Sequence, residues 1–186
     1  MLALFSCGGC GLYEDVYGQD PVTAEPQGSA SIQFQSGECG TVPSDIHAMP
    51  TGDDPTWGSD LGEMAENTRD GAVVDCTVAS ADSDAIAIEA LLESGNQRFR
   101  IVGTVEPVQT DTYSGSGTVE FTSPELGELA SAAGSCTLAV SADQVISAGE
   151  VLADFSCPSM DGADTTSPVS QCAANGTFAF YLCRVR

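Results

Sequence analysis

Four carboxylates, Asp53, Asp54, Asp60 and Glu63, stand close together beside Gly52, Gly58 and Gly62. Hard cations such as Ca²⁺ collect several carboxylate and carbonyl oxygens from a flexible loop, so calcium is the one metal cofactor this chain suggests. The spacing is not that of an EF-hand. With Asp53 at the first position Gly58 falls at the turn glycine, yet Pro55, Trp57 and Met64 occupy ligand positions. The plainer expectation for the same residues is a solvated acidic loop. Trp57, between Thr56 and Gly58, has two readings of its own: an exposed platform on which a sugar ring stacks, or a cap on the edge of the core.

Catalytic groups are harder to find. His47 is the sole histidine and sits in a Pro- and Asp-rich stretch with no nucleophile motif to serve, which reads as an ordinary loop residue. Ser114-Gly-Ser116-Gly117 lacks the strand–turn–helix setting of a nucleophile elbow. Neither G-x-x-x-x-G-K-[ST] nor G-x-G-x-x-G occurs, and a chain without lysine has no phosphate-binding loop of the first kind. A glycosidase-like carboxylate pair carries no weight where 27 acids guarantee some pair at any distance.

Those 27 acids face five arginines, for a net charge of −22. Binding to nucleic acid or to an anionic membrane surface draws on clustered Lys and Arg, so neither is an expected partner. A high-salt habitat and a cation-binding surface are both compatible with such acidity.

Eight cysteines are spread along the chain. Zinc sites use close Cys and His pairs, whereas the only C-x₂-C is Cys7-Gly-Gly-Cys10. Cys39, Cys76, Cys136, Cys157, Cys172 and Cys183 each lie in or beside a β-like run and read as about three disulfides, hence an oxidising compartment. Local closure favours Cys157 with Cys172, and strand faces put Cys76, Cys136 and Cys157 inward with Cys183 opposite. Residues 1–10 read as a residual export signal in which Leu4-Phe5-Ser6-Cys7 resembles a bacterial lipobox, so Cys7 is the candidate for lipidation. No run of apolar residues is long enough to span a bilayer, so contact with a membrane is expected only through that anchor.

The elements that must position these residues are strands. Residues 11–28 mix prolines, glycines and acids without periodicity and read as a flexible acidic linker, leaving 29–186 as a single domain. From Ser29 onward short alternating runs recur between turn residues. Ile32 and Phe34 share one face; so do Val74, Cys76 and Val78; so do Val151, Ala153, Phe155 and Cys157. Around Ser94-Gly95-Asn96 the pattern favours a hairpin over a helix, with Phe99, Ile101, Gly103 and Val105 opposed to Arg98, Arg100 and Thr104. Pro124 to Ala133 suggests one helical turn, and Asn175-Gly176 a turn ahead of a last strand from Gly176 to Cys183. About eight such runs predict an all-β fold, an antiparallel β-sandwich of immunoglobulin-like or jelly-roll type, interrupted by long acidic loops over Ser44–Gly71 and Pro158–Gln171.

The segments Gly115-Ser-Gly-Thr-Val-Glu-Phe-Thr-Ser-Pro, Cys136-Thr-Leu-Ala-Val, Ala153-Asp-Phe-Ser-Cys157-Pro and Cys172-Ala-Ala-Asn-Gly-Thr-Phe-Ala-Phe are similar to those of small, uncharacterised, disulfide-containing bacterial lipoproteins. The resemblance spans roughly residues 97 to 183 and rests on cysteine placement and strand texture. It implies export to the bacterial envelope, cell surface or periplasm and a β-sandwich, and supplies no activity. The resulting expectation is a non-enzymatic envelope module, lipid-anchored, that binds a protein or glycan partner or serves structurally. A calcium-dependent adhesion domain and an extracellular hydrolase are the alternatives.

Overall fold

The computed structural model describes residues 25–35, 46–49, 64–81, 84–162 and 171–185. Cys7, Cys39, Asp53, Asp54, Trp57, Asp60 and Glu63 lie outside them. The described chain is nearly all β, with a 3-10 turn at Arg69–Gly71 and no α-helix among the described residues.

Alternation of apolar and polar residues produces the strands expected of it. They are β1 (Gln27–Phe34), β2 (Ile46–Met49), β3 (Ala65–Glu66), β4 (Val73–Ser80), β5 (Ile86–Ser94), β6 (Gln97–Gln109), β7 (Thr112–Ser123), β8 (Gly127–Ser131), β9 (Cys136–Val140), β10 (Ile146–Ser147), β11 (Glu150–Gly162) and β12 (Cys172–Tyr181). The expected face sharing holds for Ile32 with Phe34, for Val74, Cys76 and Val78, and for Val151, Ala153, Phe155 and Cys157, all buried. The hairpin at Ser94-Gly95-Asn96 forms as β5 and β6, with Ser94 opposite Gln97.

Two local expectations fail. Pro124 to Ala133 holds no helical turn: after a tight turn the chain returns as β8, because Leu129 and Ser131 alternate inward against Phe121 and its neighbours. Asn175-Gly176 is not a turn either, and lies within β12 opposite Gln33 and Ile32. Glycine is needed there because a Cβ on Gly176 would strike the Phe155 ring at 2.7 Å as well as the Ser31 carbonyl. Gly103 and Gly117 face each other across β6 and β7 for a related reason, since a Cβ on Gly103 would come within 2.6 Å of Leu138 Cδ1. Where a neighbouring strand or side chain approaches this closely, only glycine fits.

The two-sheet sandwich expected from the sequence is replaced by one continuous sheet. Its order is β2-β1-β12-β11-β8-β7-β6-β5-β4, and β9 continues β8 in the same slot between β7 and β11. The sheet closes as a small barrel. At the seam the C-terminal segment runs parallel to β4: the Val78 N–H donates to the Arg184 carbonyl (3.1 Å) and the Arg184 N–H to the Cys76 carbonyl (2.9 Å). Faces are legible in alternation, but pairing partners are not, which is why runs that fit two stacked sheets fit one closed sheet equally well. Closure removes the exposed edges of a flat sheet.

The barrel interior is packed. Phe34, Phe99, Phe121, Phe155, Phe178 and Phe180 are each at most 2% exposed. They form two groups, with ring centroids 5.7 Å apart for Phe99 and Phe155 and 6.2 Å for Phe99 and Phe178 in one, and 6.1 Å for Phe34 and Phe121 in the other. Burial of each such side chain contributes about 1.5–3 kcal/mol. A barrel of this size has room for side chains or for one small ligand, and here side chains fill it.

Disulfides staple the closure. Cys136 at the start of β9 bonds Cys157 on β11, and Cys76 on β4 bonds Cys183 beyond β12. Cys172 is disulfide-bonded as well. The expected Cys157–Cys172 pairing is therefore wrong: β9 lies beside β11 in register, which sets Cys136 directly opposite Cys157. The expected outward Cys183 is also wrong. Phe178 and Phe180 point inward as alternation requires, but Leu182 takes φ +57 and is half exposed, and that reversal swings Cys183 inward to Cys76.

The outer face carries the charge. Arg98 pairs with Glu93 (3.4 Å), and Arg100 pairs with Glu120 (2.9 Å) and more loosely with Glu89 (3.8 Å), forming a ladder across β5, β6 and β7. Arg69 pairs with Glu66 and Arg184 with Asp75. These exposed pairs are worth little individually, but they occupy every described cation and leave the remaining acids uncompensated.

Candidate functional site

Among the described residues, space for a ligand opens at the rim of the barrel. Antiparallel order brings the β5–β6 turn, the β7–β8 turn and the end of β1 to one end of the barrel, and β2 adds His47 opposite Ile32. A cleft of ≈ 360 Å³ opens there, lined by His47, Ser94, Asn96, Gln97, Ser123 and Glu125 together with Gly95 and Pro124. That volume falls in the range of small-molecule sites.

Each wall has a local cause. The β5–β6 turn is a two-residue connection with Gly95 at φ +59 in its first central position, where a type II′ turn asks for glycine. This places Ser94 and Gln97 side by side and Asn96 at the tip. On the other wall the Ser123 hydroxyl oxygen accepts the Leu126 N–H at 3.2 Å, and Leu126 is buried beneath the turn. Pro124 and Glu125 are thereby held outward. The floor is His47, whose ring stands edge-on to Phe34 (5.9 Å, 68°) and tilted against Phe121 (5.6 Å, 51°). Two core phenylalanines thus fix the only imidazole of the chain at the mouth of the barrel.

Gln97 Oε1 in this arrangement is buried and has no hydrogen-bond partner among the described residues. A buried acceptor left without a donor costs about 1–3 kcal/mol.

On the other side of Ser94 lies a second hollow of ≈ 320 Å³, bounded by Met64, Glu66, Arg69, Asp70 and Ala72. Thr68 and Asp70 adopt φ +67 and +52 here, and the Asn67 carboxamide oxygen accepts the Val74 N–H at 3.0 Å, tying the turn to β4. Its one cation, Arg69, is engaged with Glu66, so the hollow reads as the packing of a turn.

The residues singled out from sequence divide clearly. Asp53, Asp54, Asp60, Glu63, Trp57 and Cys7 are outside the described residues. Among the described residues no group of three or more His, Cys, Asp or Glu side chains could hold a metal ion. His47, read as an ordinary loop residue, lies on a strand and floors the cleft. Gln97, Asn96, Ser94 and Ser123 were legible only as turn-flanking residues. The signal that two separate turns converge is in the strand register, which a single sequence does not display.

Among the described residues, the groups whose titration departs from the ordinary range are remote from the cleft. The Ser141 hydroxyl donates to Asp143 at 2.6 Å, and this bond with a backbone one holds the carboxyl below its usual value. Tyr181 is pushed up by burial, with the Glu150 charge adding to the effect.

Comparison with known proteins finds no matching family model, no matching curated protein and no matching solved structure. Disulfides are the mark of an oxidising environment, and no described helix is long and apolar enough to cross a membrane.

Proposed function

We infer that the chain is a non-enzymatic binding module of the bacterial cell envelope, exported, held to a membrane by lipid at Cys7, and presenting the barrel end to its partner. The observation that carries this reading is the cleft at the mouth of a filled, disulfide-stapled barrel. Such a scaffold is rigid, and it places two turns and one imidazole around an open polar hollow.

The lining favours binding over catalysis. Ser123 shares the lining with His47, and its hydroxyl accepts the Leu126 N–H while keeping its own proton to donate to a partner. A polar, partly open hollow with donors and acceptors from two turns suits recognition of a partner's polar groups. The excess of acid over the whole chain argues for a partner that is neither nucleic acid nor an anionic surface.

Expression of the full chain in a bacterium with labelled palmitate tests the anchor. The reading expects label on the wild type, recovery of the protein with membranes, and loss of both in Cys7→Ala. An unlabelled, fully soluble wild type contradicts it.

A further inference from the structure

The cleft names its ligand chemistry more narrowly than the envelope reading on which this inference rests. Ser94 and Ser123 bring hydroxyls, Asn96 and Gln97 carboxamides, and His47 an imidazole, so the walls both donate and accept. Glu125 is the only carboxylate among them. Gln97 lines the cleft and its carboxamide oxygen lacks a donor; its terminal torsion is broad and roughly two-fold, so a ligand hydroxyl at the cleft can draw that oxygen round to meet it. The Phe-filled interior stops a ligand from going deeper, so the ligand must lie across the mouth, against Pro124 and the His47 ring.

Three ligand classes can be weighed against these walls. An anionic ligand meets a chain of net charge −22 and no unpaired arginine beside the cleft. A polyamine or other cation would call for several carboxylates, and the described lining has one. A polyol matches, because each hydroxyl donates and accepts as the amides and serines do.

We propose that this cleft binds a neutral saccharide segment, one hydroxyl of which donates to Gln97 Oε1 while its neighbours exchange hydrogen bonds with Ser94, Asn96 and Ser123. A sugar hydroxyl satisfies the orphan acceptor, and the ring's apolar face lies on Pro124 and the imidazole held by Phe34 and Phe121.

The test is calorimetric titration of the full chain with cellohexaose, maltohexaose and N-acetylated chitohexaose, with spermidine and a galacturonate oligomer as charged controls. The proposal expects saturable binding of at least one neutral oligosaccharide and of neither control. Gln97→Met, close in shape but without the amide, should weaken that binding at least tenfold while the melting temperature stays level or rises, because the orphan oxygen is gone. Thr110→Ala, at the far β6–β7 tip, should bind as wild type does. Absence of binding to all three neutral sugars, binding of spermidine alone, or unchanged affinity in Gln97→Met overturns the proposal. The anchor experiment reads Cys7 and membrane recovery, so either result there leaves this outcome separately legible.

Discussion

Breaking the Cys76–Cys183 bond should destabilise the barrel more than breaking Cys136–Cys157, although both join strands of the same sheet. The bonds span 107 and 21 residues respectively. A cross-link acts mainly by restricting the unfolded chain, by an amount that grows with the logarithm of the loop it closes. For the shorter loop this gives about 3.3 kcal/mol at 25 °C. The longer loop is itself short-circuited by the Cys136–Cys157 bond inside it, and its remaining span of about 86 residues gives at most about 4.6 kcal/mol, the Cys172 bond shortening it further. The expected gap, at most about 1.3 kcal/mol from the loops alone, is widened by whatever the seam contributes locally, since Cys183 adjoins the Arg184 backbone bonds to β4. Alanine is the replacement of choice because these cysteines are at most 7% exposed and a serine hydroxyl would be buried without a partner. Urea unfolding of Cys76→Ala/Cys183→Ala and of Cys136→Ala/Cys157→Ala, each compared with the wild type, measures both values. An equal or reversed order would refute the idea that the seam staple acts through the unfolded chain.

Further outcomes follow from the same geometry. Gly176→Ala should cost about 1–3 kcal/mol or more in chemical denaturation, because its methyl group meets the Phe155 ring and the Ser31 carbonyl. Ser141→Ala should raise the Asp143 pKa toward the ordinary carboxylate range in an NMR titration, since the lost hydroxyl bond is the largest cause of its depression. Tyr181 has a folded pKa above its unfolded value near 10.0, so its contribution to stability is intact below pH 10 and is lost as pH climbs through the raised value. The alkaline fall in unfolding free energy should therefore be shallower in Tyr181→Phe. Melting temperature should rise equally with Ca²⁺ and with NaCl at matched ionic strength, the response of a screened acidic surface; a rise with Ca²⁺ alone would point to the Asp53, Asp54, Asp60 and Glu63 loop as a metal site.

The strands were largely legible because burial of one face imposes alternation on the sequence, as Val151, Ala153, Phe155 and Cys157 show. The closed sheet was hidden because pairing is a property of register, and the close approaches at Gly103, Gly117 and Gly176 look in a sequence like interruptions or turns. The disulfide pairs were hidden for the same reason. Cys136 meets Cys157 only once β9 is seen beside β11, and Cys183 meets Cys76 only through the positive φ at Leu182. The cleft draws on residues more than 70 positions apart, from His47 to Glu125, and nothing in their local patterns connects them. Only the charge of the surface and its poverty in cations could be read directly, because composition alone determines them.

The most direct measurement of the central claim is the position of a bound neutral oligosaccharide in amide NMR spectra of the full chain. The account predicts shifts concentrated at Gly95–Gln97, His47 and Ser123–Glu125, with the β6–β7 tip around Thr110 and Asp111 unmoved. Shifts gathered instead around Trp57, with Gly95–Gln97 and Ser123–Glu125 unchanged, would contradict the barrel-end cleft as the binding site.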